Sequence, residues 1–425
     1  MQGLRAYLIR TGRVVAPFDR PAGQMKVQNR PLDALHDEVL GSLGCTVERI
    51  DDPAQASESP CLLVEDDLFF TRAAMAGFLR AVRRARRVRP APGGYQAALA
   101  VSELTERLAP AFQGPMLGAG DGAACRAYGC YYFETFDPAR PRGEQARPLP
   151  IPYRHARLRL RANRYFEPSG RFVLPISPVF LTPIRHWAAL VAANVLGMPG
   201  YLLESLARRP LGALSLPARV LLRAGSLRPS RLIGKLYLAG RGCQVHPTAQ
   251  VEACILGRHV RVGPGAVVRG SVLGNGAQIG AGAVVEGCSL GDEVIVNGNV
   301  VLRCVVADAR ASLGSFFTQF SVLGADAVLC PDSGIFDFHF QGEVAVQYEG
   351  RNVSSGTRLL GGCLGDGAFL GPGVRMLAGQ ELPNGCVLVP DPRTLVRRVD
   401  RPLPDGVLRI DDRSAREALR RRRAS

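Results

Sequence analysis

The chain has 425 residues, 47% of them hydrophobic, and a net charge of +16, so it is long enough for two or three domains and too apolar to be disordered. Its 53 basic residues are almost all arginine, the two lysines being Lys26 and Lys235. They are spread along the chain without aromatic interleaving, which argues against nucleic acid as a partner.

Residues 1–180 read as an α/β domain. Strand-like runs at Ala6–Ile9, Cys45–Ile50, Cys61–Asp66 and Cys130–Phe136 alternate with helical patterns at Leu32–Leu43 and Thr71–Val88. That alternation predicts a mostly parallel sheet. The N-terminus has no long apolar core of a secretion signal. Eleven cysteines, without CxxC pairs or zinc spacing, predict a reduced, cytoplasmic setting. Gly118–Gly122 is a glycine-rich loop, a weak phosphate-binding signal by itself.

Residues 181–240 read as a helical, basic linker broken at Pro199, Pro210, Pro217 and Pro229. The uncharged apolar run from Trp187 to Leu203 is short for a membrane span and is interrupted by Gly197, Pro199 and Gly200. An interdomain packing role is favoured over a surface helix, with peripheral membrane contact as the alternative that would give an envelope role. Residues 393–425 form a basic tail, a solvated helix or a contact with an anionic surface.

The most informative segment lies between, in residues 241–392. Four 17-residue units follow one another from Val251, Val268, Val285 and Leu302, each dividing as 5 + 6 + 6. Aliphatic residues open nearly every subunit (Val251, Leu256, Val262 and their successors), and glycine usually follows at the turn. Such a repeat marks a parallel β-helix, three subunits to a triangular coil. Regularity fails from Ser315 to Gly362, where a binding site is expected, and returns at Leu364. Within that stretch Asp337 and His339 are two apart, so strand alternation would put them on one face as an acid–base pair.

This β-helix resembles the left-handed hexapeptide-repeat acyltransferases. With the α/β domain in front of it, the chain resembles the bifunctional N-acetylglucosamine-1-phosphate uridyltransferase and glucosamine-1-phosphate acetyltransferase enzymes, and related sugar-phosphate nucleotidyltransferases. The resemblance implies a left-handed β-helix and a homotrimer. Where that family has a glycine-rich phosphate loop, this chain has Thr11-Gly12-Arg13. Gln24-Met25-Lys26-Val27 resembles the family's Pro-Lys-Val stretch, which implies Lys26 as the nucleotide-phosphate contact. Leu62–Asp67 resembles the strand ending in a metal-binding Asp, which implies Asp66 or Asp67 as the Mg²⁺ ligand. The family's catalytic His falls on Gln319, which cannot act as a base.

The leading expectation is nucleotidyl transfer from an NTP to a sugar 1-phosphate. The alternatives are acyl-CoA-dependent acyl transfer with His339 as base, and a non-catalytic trimeric scaffold or regulator.

Overall fold

The computed structural model describes residues 3–88, 90–100, 116–117, 125–138, 146–151, 156–161, 170–207, 218, 220–222 and 237–391. The expected loop Gly118–Gly122 and the tail 393–425 lie outside the described residues.

In chain order the N-terminal elements are β1 (Leu4–Ile9), α1 (Leu32–Ser42), β2 (Cys45–Ile50), β3 (Cys61–Glu65), β4 (Leu68–Phe70), α2 (Arg72–Val88), β5 (Tyr95–Ala100), β6 (Cys125–Phe133), β7 (Arg147–Ile151), β8 (Leu181–Pro183) and α3 (Trp187–Ala207). The main sheet runs in the order β2-β1-β3-β6-β5-β7, with the pair Met116–Leu117 on β6. β6 is antiparallel to β3 and β5, while β1 is parallel to both β2 and β3. Burial on both faces explains the continuous apolar run of β3, whose Cys61, Leu62, Leu63 and Val64 are all fully buried. α1 buries Leu32, Leu35, His36, Val39 and Leu40, the i, i+3, i+4, i+7, i+8 stripe of an amphipathic helix.

The β-helix is three parallel sheets wound from one chain. Its first strand, Tyr237–Ala239, already pairs with Cys254–Leu256. The inward residues stack from coil to coil, for example Val262 on Ile279 and Ile279 on Val296. Most corners turn through a residue with positive φ. Glycine fills Gly242 and Gly276 in one such column, but His259, Glu293, Arg310 and Asp326 hold the same conformation with side chains.

The coils persist further than the repeat predicts. The step is 17 residues from Ile295 to Ser312 but 16 from Ser312 to Val328, so one corner is a residue short and the pattern slips without the coil breaking. Strand pairing continues to Gly334–Ile335, which pair with Arg375–Met376. The chain leaves the coil only afterwards, and its excursion carries the antiparallel hairpin Ala345–Tyr348/Arg351–Ser354.

One face of the β-helix is covered. Outward-pointing Ile255, Val272, Ser289, Val306, Val322 and Cys363 are all buried. Two clusters cover them: Ile255 and Val272 pack with Met198 of α3, while a larger core joins Val15, Phe18 and Phe69 through Trp187 and Leu190 to Val306, Val322, Val346 and Cys363. The next face is open, with outward Arg261, Gln278 and Ile295 exposed. The third carries a ladder of alternating charge, Glu252, Arg269, Glu286 and Arg303, bonded rung to rung.

α3 corrects the expected break at Pro199, since it runs unbroken from Trp187 to Ala207 with Pro199 inside. Its glycines serve close packing instead: a Cβ on Gly197 would stand 2.8 Å from the Phe69 ring. Among the described residues, Trp187–Leu206 is the one segment long and apolar enough to cross a membrane, and half of it is buried in the protein. Asn194, in its middle, is fully buried and accepts a 2.7 Å hydrogen bond from the Gln28 backbone.

Candidate active site at the carboxyl ends of β1 and β3

The sheet changes direction at β1, which has β2 on one side and β3 on the other. In open α/β sheets, ligands bind in the crevice outside the strand ends at such a switch point. Here that crevice is bounded by Thr11–Arg13 after β1 and by Glu65–Asp67 after β3.

Asp66 organises the loop after β1. Its Oδ1 accepts hydrogen bonds from the Thr11 backbone N–H at 3.0 Å and the Thr11 hydroxyl at 2.6 Å. Asp67 lies deeper, with a side chain only 1% exposed. Arg13 Nη1 reaches Asp67 Oδ2 at 2.5 Å and Glu65 Oε2 at 3.1 Å. Arg185, arriving from the start of α3, donates from Nε to the same Asp67 oxygen at 2.9 Å and from Nη2 to Glu65 at 3.3 Å. Burial works to lower the Arg13 pKa, but the charges of Asp67 and Glu65 outweigh it and raise it. The other Asp67 oxygen, Oδ1, is buried without a hydrogen-bond partner. Gly129 of β6 makes room for this cluster, because a Cβ there would stand 2.4 Å from the Glu65 carboxyl carbon.

The β-helix reaches the same place. Gln347, in its hairpin, accepts a hydrogen bond from His186 Nε2 at 3.0 Å, while His186 Nδ1 accepts from the Ala188 N–H at 3.1 Å. Those partners assign the neutral Nε2–H tautomer. Burial lowers the His186 pKa to about 4, so the ring stays uncharged at neutral pH. Tyr348 of the hairpin stands edge-on to His186 with ring centres 6.1 Å apart.

Lys26 is not at this crevice. Its Nζ is 2.7 Å from Asp308 on the β-helix, and Arg20 bridges Asp308 at 3.1 Å and Asp366 at 3.0 Å. Burial works to raise the Asp308 pKa, but the bonds and charges of Lys26, Ala309 N–H and Arg20 prevail and lower it. Lys26 opens a tight hairpin, Lys26–Val27/Arg30–Pro31, whose two turn residues Gln28 and Asn29 both have positive φ. Asn29 at its tip donates to the Leu290 carbonyl at 2.6 Å. The expected phosphate-contacting stretch thus forms a brace between the domains.

Asp337 and His339 are not brought together. An isolated antiparallel bridge, Phe338 to Leu359, extends the chain here, but no hydrogen bond joins the two side chains. His339 is exposed, its Nδ1 2.5 Å from the Gln341 carbonyl. Asp337 is half-buried, which raises its pKa, and its backbone carbonyl accepts from Leu360 N–H. The excursion therefore holds no Asp–His pair for acyl transfer.

Arg185 and Asp308 are missing from the residues that the sequence singles out. Arg13 closes the Thr11-Gly12-Arg13 stretch that stands at the phosphate-loop position, without being assigned a role there. Arg185, 118 residues from Asp67, carries no sequence signal. A groove of about 540 Å³ lies along the open β-helix face between Gln244 and Asn297, and no carboxylate lines it.

Residues 222–312 match the family model of the GMPPB C-terminal domain. In that segment the chain is nucleotidyltransferase-like. Its β-helix is of the hexapeptide-repeat type found in nucleotidyltransferases, and the α/β domain precedes it as expected. Compared with curated proteins, the chain finds no match.

Proposed function

We propose that this nucleotidyltransferase-like protein binds a nucleoside triphosphate and a sugar 1-phosphate at the crevice beyond β1 and β3 and transfers the nucleotidyl group between them. The observation that carries this reading is the pairing of Arg13 and Arg185 with Asp67 at the switch point of the sheet. Guanidinium groups are planar forks suited to phosphate oxygens, and both are held at this crevice by Asp67 and Glu65. In the reaction, a sugar-phosphate oxygen bonds to the α-phosphorus, the bond from that phosphorus to the bridging oxygen breaks, and pyrophosphate leaves. Positioning and charge neutralisation supply most of the catalysis in such transfers.

The residues fit a Mg²⁺ carried in with the triphosphate. Asp67 Oδ1 is an unpartnered buried carboxylate oxygen, and Asp66 adjoins it. Among the described residues no three ligating side chains are grouped, which accords with an ion held by one or two carboxylates plus phosphate rather than by a protein cage. When bound, the ion would offset the charge of the phosphate oxygens. Asp66 fixes the Thr11 loop, and Arg13 and Arg185 would orient phosphate. Lys26, held by Asp308, has no part in this proposal.

Pyrophosphate release from a panel of NTPs and sugar 1-phosphates with Mg²⁺, beside thermal shifts with the same compounds, tests the reading. Turnover that falls at least about a hundredfold in Asp67→Asn and Arg185→Ala supports it. Stabilisation by nucleotide or sugar phosphate without turnover selects a second reading, a ligand-binding regulator. That reading is favoured by the use of Lys26 as an interdomain brace. No stabilisation by any compound sinks both.

A further inference from the structure

We propose that the outer face of α2 docks on an anionic phospholipid surface. Arg80, Arg83, Arg84 and Arg87 fall at i, i+3, i+4 and i+7, one stripe of the helix, and all four are exposed. They lie opposite the buried face formed by Ala74, Met75, Phe78 and Val82. α2 contains no acidic residue, and among the described residues none of the four arginines has an ion pair or side-chain hydrogen bond. Neighbouring like charges at this spacing repel and work against the helix. An anionic surface laid along the stripe removes that repulsion.

A groove of about 410 Å³ runs beside the stripe. Gly77, Ala81, Leu149 and Pro150 line it, with Arg80 and Arg84 at its rim. Val88, 86% exposed, lies at its end. An apolar floor beneath a cationic rim suits an amphipathic ligand layer, with phosphates on the guanidiniums and glycerol and upper acyl carbons over the floor. No aromatic side chain lines the groove, so it offers no stacking platform for nucleic-acid bases. α2 packs on β7, at the far edge of the sheet and three strand spacings from β3, roughly 14 Å. Docking there leaves the crevice at Asp67 open, so this inference does not depend on the proposed reaction.

Flotation of the full chain with phosphatidylglycerol–phosphatidylcholine vesicles, against pure phosphatidylcholine, tests it. Binding is expected to the anionic vesicles only, and to weaken with added salt. Each arginine near such a surface contributes about fivefold in affinity, so Arg80→Glu with Arg84→Glu lowers binding by at least about tenfold. Arg80→Lys with Arg84→Lys keeps the charge and keeps the binding. Thermal unfolding of both variants, unchanged from the parent, shows that the fold is intact. The proposal is overturned if the parent chain ignores anionic vesicles at low salt, or if the double-Glu variant binds them as well as the parent. It is also overturned if duplex DNA displaces the vesicles at equal phosphate concentration.

Discussion

Two faces of the β-helix share one register and nearly the same inward residues, yet one is buried and the other open. Leu256, Leu273 and Leu290 point inward on the covered face, as Val262, Ile279 and Val296 do on the open one. The difference lies in the residue just before each. On the covered face it is Ile255, Val272, Ser289, Val306 or Val322, and on the open face Arg261, Gln278, Ile295 or Ser312. The inward residue makes the coil, while the outward residue decides what the coil lies against. The N-terminal domain and the β-helix are therefore not beads on a linker, since α3 packs along the covered face in two apolar clusters.

The sharpest way to break this comparison is to place a charge at matched outward positions. Val306→Glu buries an unpaired carboxylate under the N-terminal domain and should cost about 3 kcal/mol or more, seen as a fall in the urea midpoint. Ile295→Glu, at the equivalent open position, should stay within about 0.5 kcal/mol. Equal losses would mean that the faces do not differ in burial.

Acidification should act on the covered side through His186. Its folded pKa, about 4, lies below the ordinary 6.5, so between those values the unfolded chain holds the proton and the folded chain does not. Stability should fall as pH drops through that window, by roughly 3 kcal/mol in all. Protonating Nδ1 would also remove the acceptor of the Ala188 N–H. Urea midpoints from neutral pH to pH 4 should show this loss in the parent chain and a shallower one in His186→Gln.

A smaller effect is expected at the ionic brace. Asp308→Asn deprives Lys26 of its partner and Arg20 of one of its two at a largely covered site, and should cost about 1–3 kcal/mol. Asp326→Asn removes an exposed partner of Arg310 and should leave the unfolding midpoint unchanged. The smallest change belongs to the corners, which serve both faces alike. Glu293→Gly relieves a side chain at φ 58 and should be neutral or stabilising by a few tenths of a kcal/mol in the same measurement.

Much of the architecture is legible in the sequence, because stacked aliphatics every five or six residues admit few folds. The covered face was legible too, in the doubled apolar pairs Ile255-Leu256, Val272-Leu273 and Val322-Leu323. Attention to the inward residue alone passes over them. Asp66 and Asp67 stand at the sheet's switch point, where the strand-end pattern placed them. Lys26 does not, because the chain after Thr11 folds into hairpins that bind the β-helix. Asp337 and His339 share a locally extended stretch, but the His339 ring turns to the Gln341 carbonyl instead.

By itself, then, the sequence determined the coil and the order of the domains, since local spacing fixes which side chains face inward. Tertiary structure decided which β-helix face is covered and what neutralises Asp67. Arg13, Arg185 and Asp67 meet only when β1, β3 and α3 pack together, and no local pattern records a convergence of side chains 54 and 118 residues apart.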